Sequence, residues 1–134
     1  MPTDYKFFLP MIPPTVTLQE QKTGVRNGKP YRYDPPELKD ARAKFIAYLS
    51  KHIPQEPVTG PVALQVITGY PITGDHYDGE WKTTKPDTDN TIKLLKDCMT
   101  KLNFWKDDAQ VALEVNQKIW AATPGVWIQI RELE

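Results

Sequence analysis

Between residues 85 and 111 the chain reads K-P-D-T-D-N-T-I-K-L-L-K-D-C-M-T-K-L-N-F-W-K-D-D-A-Q-V and holds five of its 17 acidic residues. They fall in two knots: Asp87 and Asp89 before a predicted helix, Asp107 and Asp108 after it, with Asp97 on the helix itself. Closely packed carboxylates repel, so a fold that gathers both knots gains only if a cation lies between them. The chemistry suggested is that of a divalent-metal site. In an extended stretch after Pro86, Asp87 and Asp89 point to one side with Cα atoms roughly 6.5–7 Å apart, a separation that flanks one cation. Mg²⁺ prefers hard oxygen ligands and keeps several waters, so two or three carboxylates and a substrate phosphate complete its shell. Asp108, brought back by the helix and its following loop, is expected to supply the third carboxylate. Structural roles compete with this reading. Asp89 or Thr88 serves equally well as a helix cap, and Asp107-Asp108 as turn residues.

The elements that must position these groups follow from periodicity. Ile92, Leu95, Met99 and Leu102 share one face of the predicted helix, while Lys93 and Asp97 stack one turn apart on another. Lys93 therefore faces the same site as the first acidic knot. Upstream, residues 5–9 and 15–18 read as short strands, the latter as Thr15-Val16-Thr17-Leu18. Residues 22–33, K-T-G-V-R-N-G-K-P-Y-R-Y, read as a turn-rich loop with four cations, no anions and two tyrosines, tightest at Asn27-Gly28. Cations interleaved with aromatics suit a phosphate backbone and unstacked bases, and equally a solvated loop. Asp34 before Pro35-Pro36-Glu37 signals a helix start, with Leu38, Ala41, Phe45 and Leu49 on its apolar face and Pro54 at its end. A strand opens at Val62 and runs to Tyr70. The aperiodic residues 71–85, including a loop histidine at His76, deliver the chain to Asp87.

After the second knot, Val111, Leu113 and Val115 alternate into a strand that reaches Trp120. Turn residues follow to Gly125, and Val126, Ile128 and Ile130 alternate again, so the C-terminus reads as a β-hairpin. The order predicts an α+β fold: a single small domain over residues 1–134, with a mixed β-sheet and two helices packed on it.

Length and composition agree. A chain of 134 residues is one domain's worth. Forty per cent hydrophobic and 25% charged residues are ordinary for a globular protein. No run is long enough to span a bilayer and no leader is evident, so the expectation is a soluble cytoplasmic protein with no membrane partner. The lone Cys98 forms no internal disulfide, which fits a reducing compartment. Formal net charge is zero, but through Gly60 there are nine Lys and Arg against six Asp and Glu, and eight against eleven thereafter. Basic surface beside a metal-filled acidic pocket would produce that asymmetry.

Familiar motifs mostly fail. Asp87-Thr-Asp89-Asn-Thr91 matches the D-x-D-x-T of aspartate-nucleophile phosphatases, but no apolar strand precedes it and too little chain follows. An EF-hand fails because Ile92 stands where glycine is required and Cys98 where glutamate is. There is no Walker loop, zinc-ligand spacing or Ser/His/Asp signature.

One pattern does fit. Lys85-Pro86-Asp87-Thr88-Asp89-Asn90, then Lys93 and Asp97, then Phe104-Trp105-Lys106-Asp107-Asp108-Ala109-Gln110-Val111 closely resemble the signature of the RusA family of Holliday junction resolvases. Pro13-Pro14, the basic segment and the helix from Pro36 resemble its N-terminal part. The resemblance implies a homodimer that binds four-way DNA junctions and nicks two opposed strands symmetrically with Mg²⁺, for which Mn²⁺ substitutes, leaving 5′-phosphate and 3′-hydroxyl ends. It implies that Asp87, Asp89 and Asp108 bind metal, that Lys93 is the catalytic lysine, and that Asp107 is a less critical neighbour. Asn90 matches a motif position suited to orienting a ligand. Some members carry arginine where this chain has Pro86, which moves the expected phosphate contact to Lys85.

The expected activity is thus a structure-specific endodeoxyribonuclease of DNA recombination and repair, acting on branched DNA. Backbone contacts are assigned to Lys22, Arg26, Lys29, Arg32, Lys82 and Lys85. A non-catalytic branched-DNA-binding protein would use the same basic segment, and a metal-dependent nucleotide phosphohydrolase the same carboxylates. No sequence feature identifies the dimer interface, and Trp120 and Trp127 are readable as core or as contact surface.

Overall fold

A computed structural model describes residues 3–15 and 22–134. Its strands are β1 (Asp4–Leu9), β2 (Lys22–Arg26), β3 (Lys29–Tyr33), β4 (Val62–Pro71), β5 (Val111–Ala121) and β6 (Gly125–Glu132), and its helices α1 (Pro36–Leu49) and α2 (Thr88–Lys101). The strand expected at Thr15-Leu18 lies outside the described residues, apart from Thr15, which is not in a strand. The fold is α+β, as the element order predicts.

A four-stranded sheet in the order β1-β6-β4-β5 carries both helices on one face. β4 is central, parallel to β5 and antiparallel to β6, so α2 is the crossover that a parallel pair requires. β4 is buried along most of its length, and its sequence V-A-L-Q-V-I-T-G-Y-P is nearly continuous in apolar residues for that reason. The chain reverses at residues 122–124 where the turn chemistry predicts it. The two arms of that C-terminal reversal clasp β4 between them rather than bonding to each other. β6 continues onto β1, where Gly125 is required by close approach: a Cβ there would stand 2.2 Å from the Phe8 ring.

Tyr5, Phe7 and Leu9 of β1, Leu64 and Val66 of β4, and Val126, Ile128 and Ile130 of β6 meet the apolar stripes of the helices. Those stripes are Leu38, Ala41, Phe45 and Leu49 on α1, and Ile92, Leu94, Leu95, Cys98 and Met99 on α2. α1 starts differently from the sequence expectation. Its cap is Pro35, whose carbonyl accepts from Leu38 and Lys39, and no side chain caps it. Asp34 bonds Arg42 instead, and Arg42 also bonds Asp97 of α2, so this ion pair clasps the helices together. Burial alone would lower the Arg42 pKa, but the bonds to Asp97 and Asp34 outweigh it and raise it. Asp97 is therefore a packing residue, further tied to Lys101 at 3.6 Å.

The cationic segment at 22–33 is a two-stranded hairpin rather than a loop. Asn27 and Gly28 both take positive φ, 54° and 75°, the conformation that matches the twist of the flanking strands. Asn27-Gly28, expected as the tightest point of a loop, is the two-residue turn of that hairpin. Among the described residues no helix is long and apolar enough to cross a membrane.

Candidate functional site

α2 begins at Thr88, so Asp87 is its cap residue and Asp89 lies in its first turn. This corrects the extended geometry expected for the pair. Asp87 has cap backbone torsions, and its carbonyl accepts from the Thr91 amide at 3.3 Å, but its carboxylate makes no capping bond. A cap residue normally spends its side chain on the first free amides. Here that side chain is exposed and, among the described residues, unspent. Asp89 and Lys93, four apart, lie on one face of the helix and are both exposed. Neither aspartate enters a salt bridge among the described residues. Asn90 is half-buried one position further on.

The stretch leading into α2 is held from beneath by β5. Lys118 donates to the carbonyls of Thr84 at 2.5 Å and Pro86 at 2.6 Å, and Asn116 donates to that of Thr88 at 2.7 Å. Lys82, assigned from sequence to a DNA contact, turns inward. Its ammonium bonds the Thr84 hydroxyl and the Lys85 carbonyl, each at 2.6 Å, and sits over the Trp120 and Tyr70 rings at 4.7 and 5.2 Å. Burial first, and repulsion from Lys118 second, lower its pKa. Two cations thus gather the carbonyls just upstream of Asp87. Lys85 stays exposed. The sequence reading missed Lys118 and Asn116; their alternation on a strand after the second knot was the available signal. His76 bonds Glu80 at 2.8 Å and stacks on Trp120, which makes it a loop clasp. Trp120 is buried beneath Lys82, while Trp127 packs on Phe8 across the helix-free face of the sheet.

The second knot is divided by function. Asp107 caps a short helical turn, Asp108–Gln110, by accepting from the Ala109 amide at 2.9 Å, and Gln110 reciprocates by accepting from the Asp107 amide at 3.1 Å. Gln110 also donates to the carbonyls of Val58 and Gly60, and fully buried Phe104 and Trp105 anchor the approach. This woven corner leaves the Asp108 carboxylate exposed and outside every salt bridge among the described residues.

Within one chain the two knots do not converge. Asp87 caps the N-terminal end of α2, with Asp89 in its first turn, and Asp108 lies beyond its C-terminal end, so the 14 residues of the helix separate Asp87 from Asp108. At about 1.5 Å per residue that helix is about 21 Å long. β5 runs antiparallel to it, as Asn116 on Thr88 and Lys96 on Glu114 at 2.8 Å show, and so carries Asp108 away from Asp87. Among the described residues no group of three or more His, Cys, Asp or Glu side chains is arranged to hold a metal ion. What α2 presents is a pair of exposed hard-oxygen donors, unspent among the described residues, beside Lys93. That donor chemistry fits Mg²⁺ or Mn²⁺, which bind through one or two carboxylates, waters and a substrate phosphate.

The hairpin sorts its cations by face. Opposite residues share a side, so Lys22 with Tyr33, Gly24 with Tyr31 and Arg26 with Lys29 form one face, and Arg32 lies on the other with Thr23. The Arg26 guanidinium sits 4.8 Å over the Tyr31 ring, Tyr31 lies 5.7 Å from Tyr33, and Tyr31 covers Gly24 so closely that a Cβ there would meet it at 2.9 Å. The result is an exposed ribbon of alternating rings and cations, suited to nucleic-acid backbone and to stacking on bases.

Comparison with known proteins gives a consistent picture. A family described as endodeoxyribonuclease RusA matches residues 12–131. The chain is 33% identical over 137 residues to the crossover junction endodeoxyribonuclease rusA of Lactococcus phage r1t, covering 99% of this chain and 100% of the relative. It is 32% identical over 120 residues to the uncharacterized protein YqaN of Bacillus subtilis strain 168, covering 81% of this chain and 84% of the relative.

Proposed function

This chain belongs to the RusA endodeoxyribonuclease family, and on that premise we propose that it cuts four-way DNA junctions by metal-dependent hydrolysis of phosphodiester bonds, nicking two opposed strands as a homodimer. The observation that carries the reading is the start of α2. A cap residue whose carboxylate does not cap, a second exposed carboxylate in the first turn and an exposed lysine one turn later set two hard-oxygen donors beside a cation, which is what metal-assisted phosphodiester hydrolysis needs.

Hydrolysis adds water across the P–O3′ bond, leaving a 5′-phosphate and a 3′-hydroxyl. A divalent cation held by Asp87 and Asp89 would supply Lewis acidity toward the phosphate and an acidified water. The protein's own part is electrostatic and positional. Lys93, on the Asp89 face of α2, neutralises charge that grows on the non-bridging oxygens of the scissile phosphate. Lys118, Lys82 and Asn116 fix the backbone from Thr84 to Thr88, so that the carboxylates are set before substrate arrives. Lys22, Arg26, Lys29 and Arg32 on the hairpin, with Lys85, grip the DNA backbone and register the junction without reading sequence. A junction's pseudo-two-fold shape calls for a two-fold partner.

The test is a gel assay with a synthetic four-way junction, a linear duplex and a mononucleotide, in Mg²⁺, Mn²⁺ or chelator. The reading expects paired nicks in the junction with either metal, none with chelator, and intact duplex and mononucleotide. Phosphate release from the mononucleotide, or metal-independent binding without any nick, would replace it.

A further inference from the structure

The β2–β3 hairpin is built unlike the rest of the molecule. It forms a two-stranded sheet of its own, and every residue from Lys22 to Tyr33 except half-buried Gly24 is exposed. An isolated ribbon of two strands is marginally stable in water. Its two tyrosines, 36% and 41% exposed at Tyr31 and Tyr33, bury little and so are not there to form a core.

Charge names the kind of partner. Lys22, Arg26, Lys29 and Arg32 stand on the hairpin with no acidic residue among them, and none enters an ion pair among the described residues. The acid that follows, Asp34, is bonded to Arg42. Four uncompensated cations on so small a ribbon call for a polyanion.

The rings narrow that choice. Phosphates alone would be held by the cations, yet Tyr31 and Tyr33 share a face with Lys22, Arg26 and Lys29. The glycine opposite Tyr31 makes room for its ring, since a Cβ on Gly24 would stand 2.9 Å from it. Arg26 lies over that ring at 4.8 Å, and Tyr33 is 5.7 Å away and inclined by 39°. Three planar groups therefore follow one another along the face. A base slipped between two rings needs about 6.8 Å, twice the ~3.4 Å stacking repeat, so bases would lie over the tyrosines and not between them. A closed duplex keeps the faces of its bases inside the stack and offers these rings nothing. Unpaired bases offer a face each.

We propose that Tyr31 and Tyr33, with the Arg26 guanidinium, form a stacking site for the unpaired bases of single-stranded DNA, while Lys22 and Lys29 hold the phosphates on either side. The proposal rests on the reading that this chain acts on branched DNA, where strands part, and adds to it the feature of the substrate that the hairpin selects.

Binding in chelator tests it without cleavage, by fluorescence anisotropy with oligothymidylate and with a duplex of the same length. Tyr31→Leu/Tyr33→Leu should lose at least about 5-fold in affinity for oligothymidylate. Duplex affinity should stay within about two-fold, and the slope of log affinity on log salt should not change, because the phosphate contacts remain. Tyr31→Phe/Tyr33→Phe keeps the rings and should bind both as wild type does. Wild-type protein irradiated with an oligonucleotide carrying 5-iodouracil gives a readout that needs no variant, with cross-links expected at Tyr31 or Tyr33 by mass spectrometry. The stacking site is overturned by a leucine variant that binds oligothymidylate like wild type, by equal losses on single strand and duplex, or by cross-links that fall only elsewhere. Competition by linear polyphosphate as strong as that by oligothymidylate of equal charge would overturn it too. Wild type that cross-links at the tyrosines yet nicks no junction would sink the nuclease reading and leave the stacking site standing.

Discussion

Replacing Lys118 by methionine keeps the length of the side chain and removes its ammonium, which donates to the carbonyls of Thr84 and Pro86. Bonds from a charged donor contribute about 1.5–3 kcal/mol each, but these carbonyls lie near the surface and regain water, so a net loss of about 1–2 kcal/mol is expected. For a domain of this size that lowers Tm by roughly 4–8 °C. The functional consequence is larger. Lys118 fixes the chain immediately before Asp87, and a displacement of about 1 Å in a catalytic carboxylate costs about 100-fold in rate. Junction affinity in chelator should stay within about two-fold, since the proposed DNA contacts lie on the hairpin and not on Lys118. The assay is single-turnover cleavage of a junction beside a gel shift and a thermal melt, with Lys118→Arg as the variant that keeps the charge and recovers part of the rate. A Lys118→Met protein that melts lower yet cleaves at the wild-type rate would refute the idea that this anchor sets the site.

Two further outcomes follow from the same structure. Arg26→Ala/Lys29→Ala removes two cations from one end of the hairpin ribbon and should flatten the dependence of log affinity on log salt by up to about 1.8 on duplex arms, while Cys98→Ala leaves that slope unchanged. Burial pushes the Cys98 thiol from 9.0 up to about 11, so the folded state holds the proton more tightly than the unfolded chain. That stability is fully present below pH 9 and lost as pH rises through about 11, a contribution on the order of 2–3 kcal/mol. Urea melts from pH 8 to 11 should therefore fall more steeply for wild type than for Cys98→Ala, and parallel curves would contradict the burial argument.

How much of this was legible in the chain depends on how far apart the interacting groups lie. Ile92, Leu95 and Met99 recur at helical spacing, and Val62, Leu64 and Val66 alternate, so α2 and β4 and the face each buries are local facts that periodicity exposes. Aspartates at a helix start are equally local, but whether Asp87 caps is not: the answer depends on a carboxylate left unspent in three dimensions. The same holds for Lys118 and Pro86, 32 residues apart, and for Asp97, whose partner Arg42 lies 55 residues away. The helical pattern between the two knots already implied about 20 Å of rigid separation. Reading the knots as convergent within one chain weighed their charge and neglected that length. Pairing partners across a sheet also escape periodicity, which is why the C-terminal turn could be placed while the insertion of β4 between its arms could not.

The proposed role of the Asp87 and Asp89 carboxylates is to perform the cutting and not merely to shape the protein. Its most direct measurement is the rate of strand cleavage in a four-way junction with Mg²⁺ by Asp87→Asn and Asp89→Asn, set against junction affinity in chelator and Tm. Each substitution is predicted to lose at least about 100-fold in rate, with affinity within about two-fold and Tm lowered only slightly, since neither carboxylate caps the helix or enters a salt bridge among the described residues and the helix dipole alone favours their charge, by about 0.3–1 kcal/mol each. Cleavage at the wild-type rate by either variant would contradict it.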